Sequence, residues 1–414
     1  MNGRDGDRVE YEPVSVKEVL GEMKDIAELL IDLSYSSVLF DSRELAAEVL
    51  ELESEMDVLQ LRARMSLVMA GRSPEEAEQL APIFGIVGAA EKISDAAGDV
   101  AKVVLDDVGL PTALRASLPD PVETLARAEL AADSAYAGRT LGAINLETET
   151  GVRVLAIRRG DDWVLNPDRE TTLRGGDALL LRGPDDGVQG VYETVTGEAF
   201  EHPEAPESPI EDLDRAVETV VLMKNMSELA VDLAYGSVLF DDPELAREVS
   251  ELEVEVDALQ SRFEAWALRA AAEVDDPVTI RGLLHIAAST EVISDAALEI
   301  SEGVLRGLGS HPVVQAAVED SDEILVSVAV EPGSDLDGQT IREEALRTTT
   351  GMLVIAIRRQ TDENGEPSGA GGSSDDGETD WLLTPDPGTT LRGGDTLIAK
   401  GTRTGAERLR GLAG

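Results

Sequence analysis

The chain has 414 residues, 83 of them acidic and 35 basic, for a formal net charge of -48 at neutral pH. That charge repels phosphate backbones and excludes nucleic acid as a partner, and the absence of cysteine excludes disulfides and thiolate metal sites. Lysine is confined to positions 17, 24, 92, 102, 224 and 400; such acidity repels itself in dilute buffer but is screened within about 3 Å at molar salt, the pattern of a salt-adapted, halophile-type protein.

The N-terminal stretch MNGRDGDRVEYEP is polar and lacks the apolar core of a signal peptide. No apolar run approaches the roughly 20 residues that span a bilayer, so the expectation is a cytoplasmic protein with no direct membrane insertion. Residues 23–60 reappear at 223–260 with more than half of the positions identical, and Gly138-Arg139-Thr140-Leu141 returns as Gly338-Gln339-Thr340-Ile341. The chain is two copies of one composite unit, which sets the domain count.

In each copy the helical part comes first. Val16, Val19, Met23, Ile26, Leu30, Leu33, Ser37 and Phe40 step by three and four, the seam of a helix. Asp41-x-x-Glu44 reads as a capping box opening a second helix, with its seam at Leu45, Val49, Leu52, Met56 and Leu59. The second copy has Asp241-Asp242-Pro243-Glu244 there, placing a proline at the first helical position. Ser73-Pro74-Glu75-Glu76 opens a third helix, with apolar positions Ile83, Ile86, Ala90, Ile93, Ala97, Val100 and Val104. Three antiparallel helices with short loops predict an all-α bundle over residues 1–112 and again over 211–312.

Beside these seams lie carboxylates. Glu53 and Asp57 share one edge of the second helix, and Glu91, Asp95 and Asp99 follow at intervals of four on the third. The second copy keeps an acid at each position, as Glu253, Asp257, Glu291, Asp295 and Glu299. Carboxylates converging across two helices repel unless protonated or bound to a cation, and an all-oxygen set suits a divalent or other hard cation. The alternative is a solvated face of a very acidic protein.

The motifs ELESEMDVLQ and EKISDAAGDVA resemble those of the PhoU domain, over roughly 15–110 and 215–310. That resemblance implies helices whose acidic motifs hold metal clusters. A ferritin-like site fits less well, because it needs Glu-x-x-His and those two spans contain only His285.

After about residue 112 the pattern changes to short apolar runs broken by Gly and Asp. Strands are predicted at 324–330, 351–359, 381–383 and 395–400, with a short helix opening at Gly338 and another closing the chain. The order β-α-β-β-β-α predicts an α+β domain over 113–195 and again over 313–414. The segments VEPGSDLDGQTI, GVRVLAIRRGDDWVLNPD and TTLRGGDALLLRG resemble the TrkA C-terminal (RCK-C) domain of potassium channel and transporter regulators. No G-x-G-x-x-G follows a strand, so binding of NAD or ATP is not implied.

Arg158-Arg159 and Arg358-Arg359 concentrate positive charge on the second strand and suit a small anionic effector. The alternative is an edge-strand charge that discourages aggregation. Residues 196–210 read as an acidic, Pro-containing linker, and 361–380 as a solvated loop.

The expected fold class is thus multidomain, two three-helix bundles alternating with two α+β domains. The expected function is non-enzymatic: a regulatory subunit that gates a membrane cation channel or transporter, for potassium as the TrkA-C resemblance implies, under control of a small-molecule effector. Tandem duplication supplies the arrangement a homodimer would otherwise provide, and a further homodimer is compatible with it. A metal-dependent enzyme or metal-storage bundle is the first alternative, although His202, His285 and His311 have no counterparts in the other copy. A PhoU-like regulator of phosphate transport is the second.

Overall fold

A computed structural model describes residues 15–70, 73–111, 114, 124–160, 162–200, 210–274, 276–307, 311–320, 323–342, 344, 346–360 and 379–414. The first copy runs α1 (Val16–Leu39), α2 (Arg43–Ala70), α3 (Pro74–Leu105), β1 (Thr124–Glu129), α4 (Leu141–Ile144), α5 (Leu146–Thr150), β2 (Arg153–Arg159), β3 (Asp162–Leu165), β4 (Ala178–Gly183) and α6 (Asp185–Thr196). The second runs α7 (Glu211–Phe240), α8 (Pro243–Glu273), a 3-10 turn (Pro277–Ile280), α9 (Arg281–Leu305), α10 (Pro312–Asp320), β5 (Ile324–Ala329), α11 (Leu346–Thr350), β6 (Met352–Gln360), β7 (Thr379–Leu383), β8 (Thr396–Gly401) and α12 (Arg403–Ala413).

The chain forms two compact units, each assembled from both copies: Met1–Arg115 with Pro206–Ser321, and Ala116–Ala205 with Asp322–Gly414. In the helical unit the predicted α2 and α3 seams are core, while on α1 Val19, Met23, Leu30, Leu33 and Ser37 are buried and Val16, Ile26 and Phe40 only half-buried. Leu45, Val49, Leu52, Met56 and Leu59 of α2 and Ile83, Ile86, Ala90, Ile93, Ala97, Val100 and Val104 of α3 are all buried. The two three-helix sets pack together through α3 and α9. The amide of Gly282 donates to the carbonyl of Gly109 at 2.9 Å, tying the end of one set to the start of α9.

The start of α2 corrects the expected cap. Asp41 takes a left-handed φ of 49° and ends the preceding turn. Ser42 caps instead, its Oγ accepting from the Leu45 amide at 3.2 Å, as Asp242 caps α8. An acid at position 41 can adopt the left-handed conformation after α1, and this moves the cap one residue on.

In the α+β unit each copy builds a four-stranded antiparallel sheet, ordered β1-β4-β2-β3 and β5-β8-β6-β7. Both β2 and β6 carry a bulge, between Val154 and Ala156 and between Val354 and Ala356. Here β2 lies between β4 and β3, not at an edge, so the edge-strand reading of its arginines does not hold. The predicted linker begins later than expected, because α6 continues through Thr196, and residues 201–209 lie outside the described residues. The predicted loop ends earlier, because Thr379 and Asp380 already belong to β7, and 361–378 lie outside. The predicted helix at Gly338 is described only as α11, from Leu346.

The two sheets' domains meet within this unit. Arg408 of α12 donates to the Thr148 carbonyl at 3.1 Å and to Glu149 Oε1 at 2.9 Å, and Thr148 Oγ1 lies 3.4 Å from Thr402 Oγ1.

Candidate functional site

The carboxylate stripes run along the antiparallel α2–α3 pair, and along α8–α9. In the first copy Asp57, Glu91 and Asp95 converge, each presenting an oxygen within 4.8 Å of the others'. Three oxygens so spaced lie about 2.8 Å from a common centre, near the roughly 2.3–2.6 Å of a calcium–oxygen bond, so small side-chain adjustments would seat a hard cation. The donor set is all carboxylate, which fits the expected ion.

Electrostatics at this place are unfavourable without a counter-charge. Burial pushes the Glu91 carboxyl up and Asp95 pushes it further, Arg64 pulls back, and Asp57 raises it again, opposed by the Gln60 side chain. Asp95 is raised by burial and then by Asp57 and Asp99, with Lys102 pulling back. Burial also raises Glu53, against the pull of Lys102. Its carboxylate rests on α3 at Gly98, where any Cβ would collide with it. Lys102 lies 2.9 Å from Asp99 and 3.6 Å from Glu53, so these two acids are gathered around a lysine while the other three face one another.

The second copy keeps the stripe and changes its surroundings. Glu253 is raised by burial, Asp257 and Asp295; Glu291 by burial, Asp295, Asp257 and Glu253; Asp295 by burial and Asp257, with Lys92 opposing. Glu299 is drawn to Lys92 across the α3–α9 contact. The residues that sequence reasoning passed over are these two lysines and Gly98. Scarcity of lysine was the available signal, since five of the six belong to this unit: besides Lys92 and Lys102, Lys24 pairs with Glu28 at 2.6 Å and Lys224 with Glu228 at 2.8 Å. Their ammonium groups also cross the copies symmetrically, Lys24 over the Tyr235 ring and Lys224 over Tyr35.

The arginine pairs separate into two roles. Arg159 forks onto Asp177 at 2.8 and 2.7 Å and donates to the Thr172 carbonyl. Arg359 repeats this on Asp395 at 2.8 and 2.5 Å and on the Thr390 carbonyl. Asp177 and Asp395 also accept from the Arg174 and Arg392 amides, so the fork fixes the turn before the last strand. Burial pushes the Asp177 carboxyl up, but the Arg159 fork and the Arg174 amide outweigh it and hold it below the usual range. Arg158 donates from Nε to the Gly160 carbonyl at 3.2 Å, and Arg358 stands over the Trp381 ring.

The PhoU domain family matches residues 20–104 and 220–304, the two helical sets that close into one unit. The TrkA-C domain family matches residues 125–196, and the second sheet repeats that domain's strand order and its arginine fork. The chain is a PhoU and TrkA-C domain protein. Over 71 residues it is 39% identical to the Ktr system potassium uptake protein A of Vibrio alginolyticus, a match covering 17% of this chain and 32% of that relative. Among solved structures it is similar to PhoU from Pseudomonas aeruginosa, at 14% identity and a TM-score of 0.40, covering 70% of this chain and 96% of that one. It is also similar to the GsuK RCK domain, at 17% identity and a TM-score of 0.17, covering 70% and 62%. Among the described residues no helix is long and apolar enough to cross a membrane.

Proposed function

We propose that this PhoU and TrkA-C domain protein is a regulator of potassium movement across a membrane, acting through a channel or transporter partner. The observation that carries the reading is the 39% identity over 71 residues to a potassium uptake protein. A small anionic effector would bind the α+β unit, where Arg158 and Arg358 supply charge while Arg159 and Arg359 hold the fold. An effector that favours one arrangement of this unit shifts the population its partner meets, by as much as its affinity differs between the two arrangements. The carboxylate stripes would add sensing of a hard cation in the helical unit.

Rubidium uptake by cells with the gene intact, deleted and restored tests this directly. Deletion should change the rate or its dependence on external potassium, and restoration should reverse it. Unchanged rubidium uptake together with altered phosphate uptake would move the assignment to phosphate transport, the reading that the two PhoU matches favour.

A further inference from the structure

The helical unit exposes large apolar side chains where an acidic, salt-adapted surface would be expected to carry charge. Val68 is 69% exposed and Phe84 37%; at the same places in the second copy Leu268 is 74% exposed and Leu284 45%. The flanking positions did not keep their character: Arg64 became Glu264, Met69 became Arg269 and Gly85 became His285. Phe84 and Leu284 are more than half covered, but Val68 and Leu268 are mostly exposed, and packing within this unit does not account for an apolar residue kept there in both copies.

The helix register brings each pair together. Glu53 sits at Gly98, and the Arg64 guanidinium lies 4.0 Å from the Cβ position of Gly88. Continued toward the α2–α3 turn, that register sets Val68 level with Phe84, and the offset of 200 puts Leu268 and Leu284 at the corresponding places of α8 and α9. Both residues follow the face that carries the stripe: 57, 64 and 68 on α2, and 95, 91, 88 and 84 on α3. One face therefore presents an apolar pair at its end and carboxylates about 10 to 16 Å further along, seven to eleven residues at the helical rise.

We propose that this face, on α2–α3 and again on α8–α9, docks a basic amphipathic helix of a partner protein. Charge complementarity chooses the occupant: an apolar anchor at one end of that helix covers Val68 and Phe84, while Lys or Arg two to three turns away takes the place of a cation beside Asp57, Glu91 and Asp95. A partner helix of about 18 residues spans both features. The proposal rests on the regulatory reading only in requiring a protein partner, and its test needs no transport.

The probe is a fluorescent 18-residue Leu/Lys peptide with leucines at one end of one helical face, titrated by anisotropy into the full chain in molar potassium chloride. Two binding sites per chain are expected. Val68→Ser with Phe84→Ser should remove one of them, and adding Leu268→Ser with Leu284→Ser should weaken binding about tenfold or more. Phe84 and Leu284 are more than half covered, so the folding control is Val68→Ser with Leu268→Ser at the mostly exposed positions: its thermal melt should match the parent while its peptide binding falls, which separates lost docking from lost folding. Equal binding by the fourfold variant, or by a peptide of the same composition with dispersed leucines, overturns the proposal and leaves only attraction to net charge. Loss of self-association in the variant, with no peptide binding by the parent, overturns it in favour of a second copy of this chain. A failed rubidium experiment with intact peptide binding refutes the transport assignment and leaves the docking face standing.

Discussion

Removing Asp57 and its counterpart Asp257 isolates the cation reading of the stripes. In the first copy Asp57, Glu91 and Asp95 bring oxygens within 4.8 Å of one another, and Glu91 and Asp95 are both raised by burial and then by carboxylate neighbours. A bound divalent cation turns that repulsion into attraction and binds only the folded state. At a hundredfold excess over its Kd it adds about 2.7 kcal/mol. For a domain of 150–250 residues this is about 5–11 °C in melting temperature. The assay is differential scanning calorimetry in molar potassium chloride, with calcium, magnesium or manganese against chelator. Asp57→Ala with Asp257→Ala should abolish the shift and leave the cation-free protein as stable as the parent or more so, because like charges have been removed. Identical melts of the parent with metal and with chelator, and no stoichiometric metal by elemental analysis, would refute the reasoning and return the stripes to solvated faces.

The other expectations concern charge elsewhere. Lowering potassium chloride from molar to dilute should depress the melting temperature strongly, since 83 acidic side chains face 35 basic ones; constant melting would reject the salt-adapted reading. Arg159→Gln leaves the buried Asp177 carboxylate without its fork and should cost about 2–4 kcal/mol by denaturant titration, with Arg159→Gln plus Asp177→Asn recovering part of the loss. Arg158→Gln with Arg358→Gln should leave stability nearly unchanged and weaken effector binding; unaltered ligand and partner interactions would make both arginines structural. As pH falls toward the carboxylate range, Glu91, Asp95, Glu291 and Asp295 take up protons in the folded state before the unfolded chain does. Their contribution is present below the ordinary carboxylate pKa and lost as pH rises through the raised values, so the helical unit should melt higher on the acid side. Asp177, held low, has the opposite sign and loses its contribution as pH falls. Asp95→Asn with Asp295→Asn should flatten the acid-side gain, and an unaltered profile would show that these groups do not titrate as described.

Periodicity carried most of the fold. The seams of α2 and α3 are buried as the spacing requires, because a helix core is a local pattern repeated every turn. The β-α-β-β-β-α order was equally legible from short apolar runs and glycine turns. What spacing could not supply was partnership across the chain. Another domain separates the PhoU-like halves in sequence, and spacing does not say which of the repeated parts pair; the halves close into one unit. A solvent-exposed connection costs little extra entropy with length, whereas the buried faces of two helical sets gain by meeting. Similarly, Arg158-Arg159 looked like one positive patch. Alternation along the strand sends neighbours to opposite faces, so Arg159 reaches Asp177 while Arg158 does not share that contact.

Duplication within one chain also permits an asymmetry that two identical subunits cannot have. At the position of Lys102, which gathers Glu53 and Asp99, the second copy has Glu302; at the position of Lys92, which draws Glu299 away, it has Val292. Both lysines thus lie on the first copy's α3, and each neutralises one end of a stripe, the first through its own copy and the second across the α3–α9 contact. Lys102 reaches Glu53 directly, whereas Glu253 has only burial and other carboxylates acting on it. The two stripes therefore differ in counter-charge while keeping the same acids. In a symmetric dimer any such substitution would alter both sites together; here each site can be tuned alone, and a cation would meet two places of unequal electrostatic strength in one helical unit.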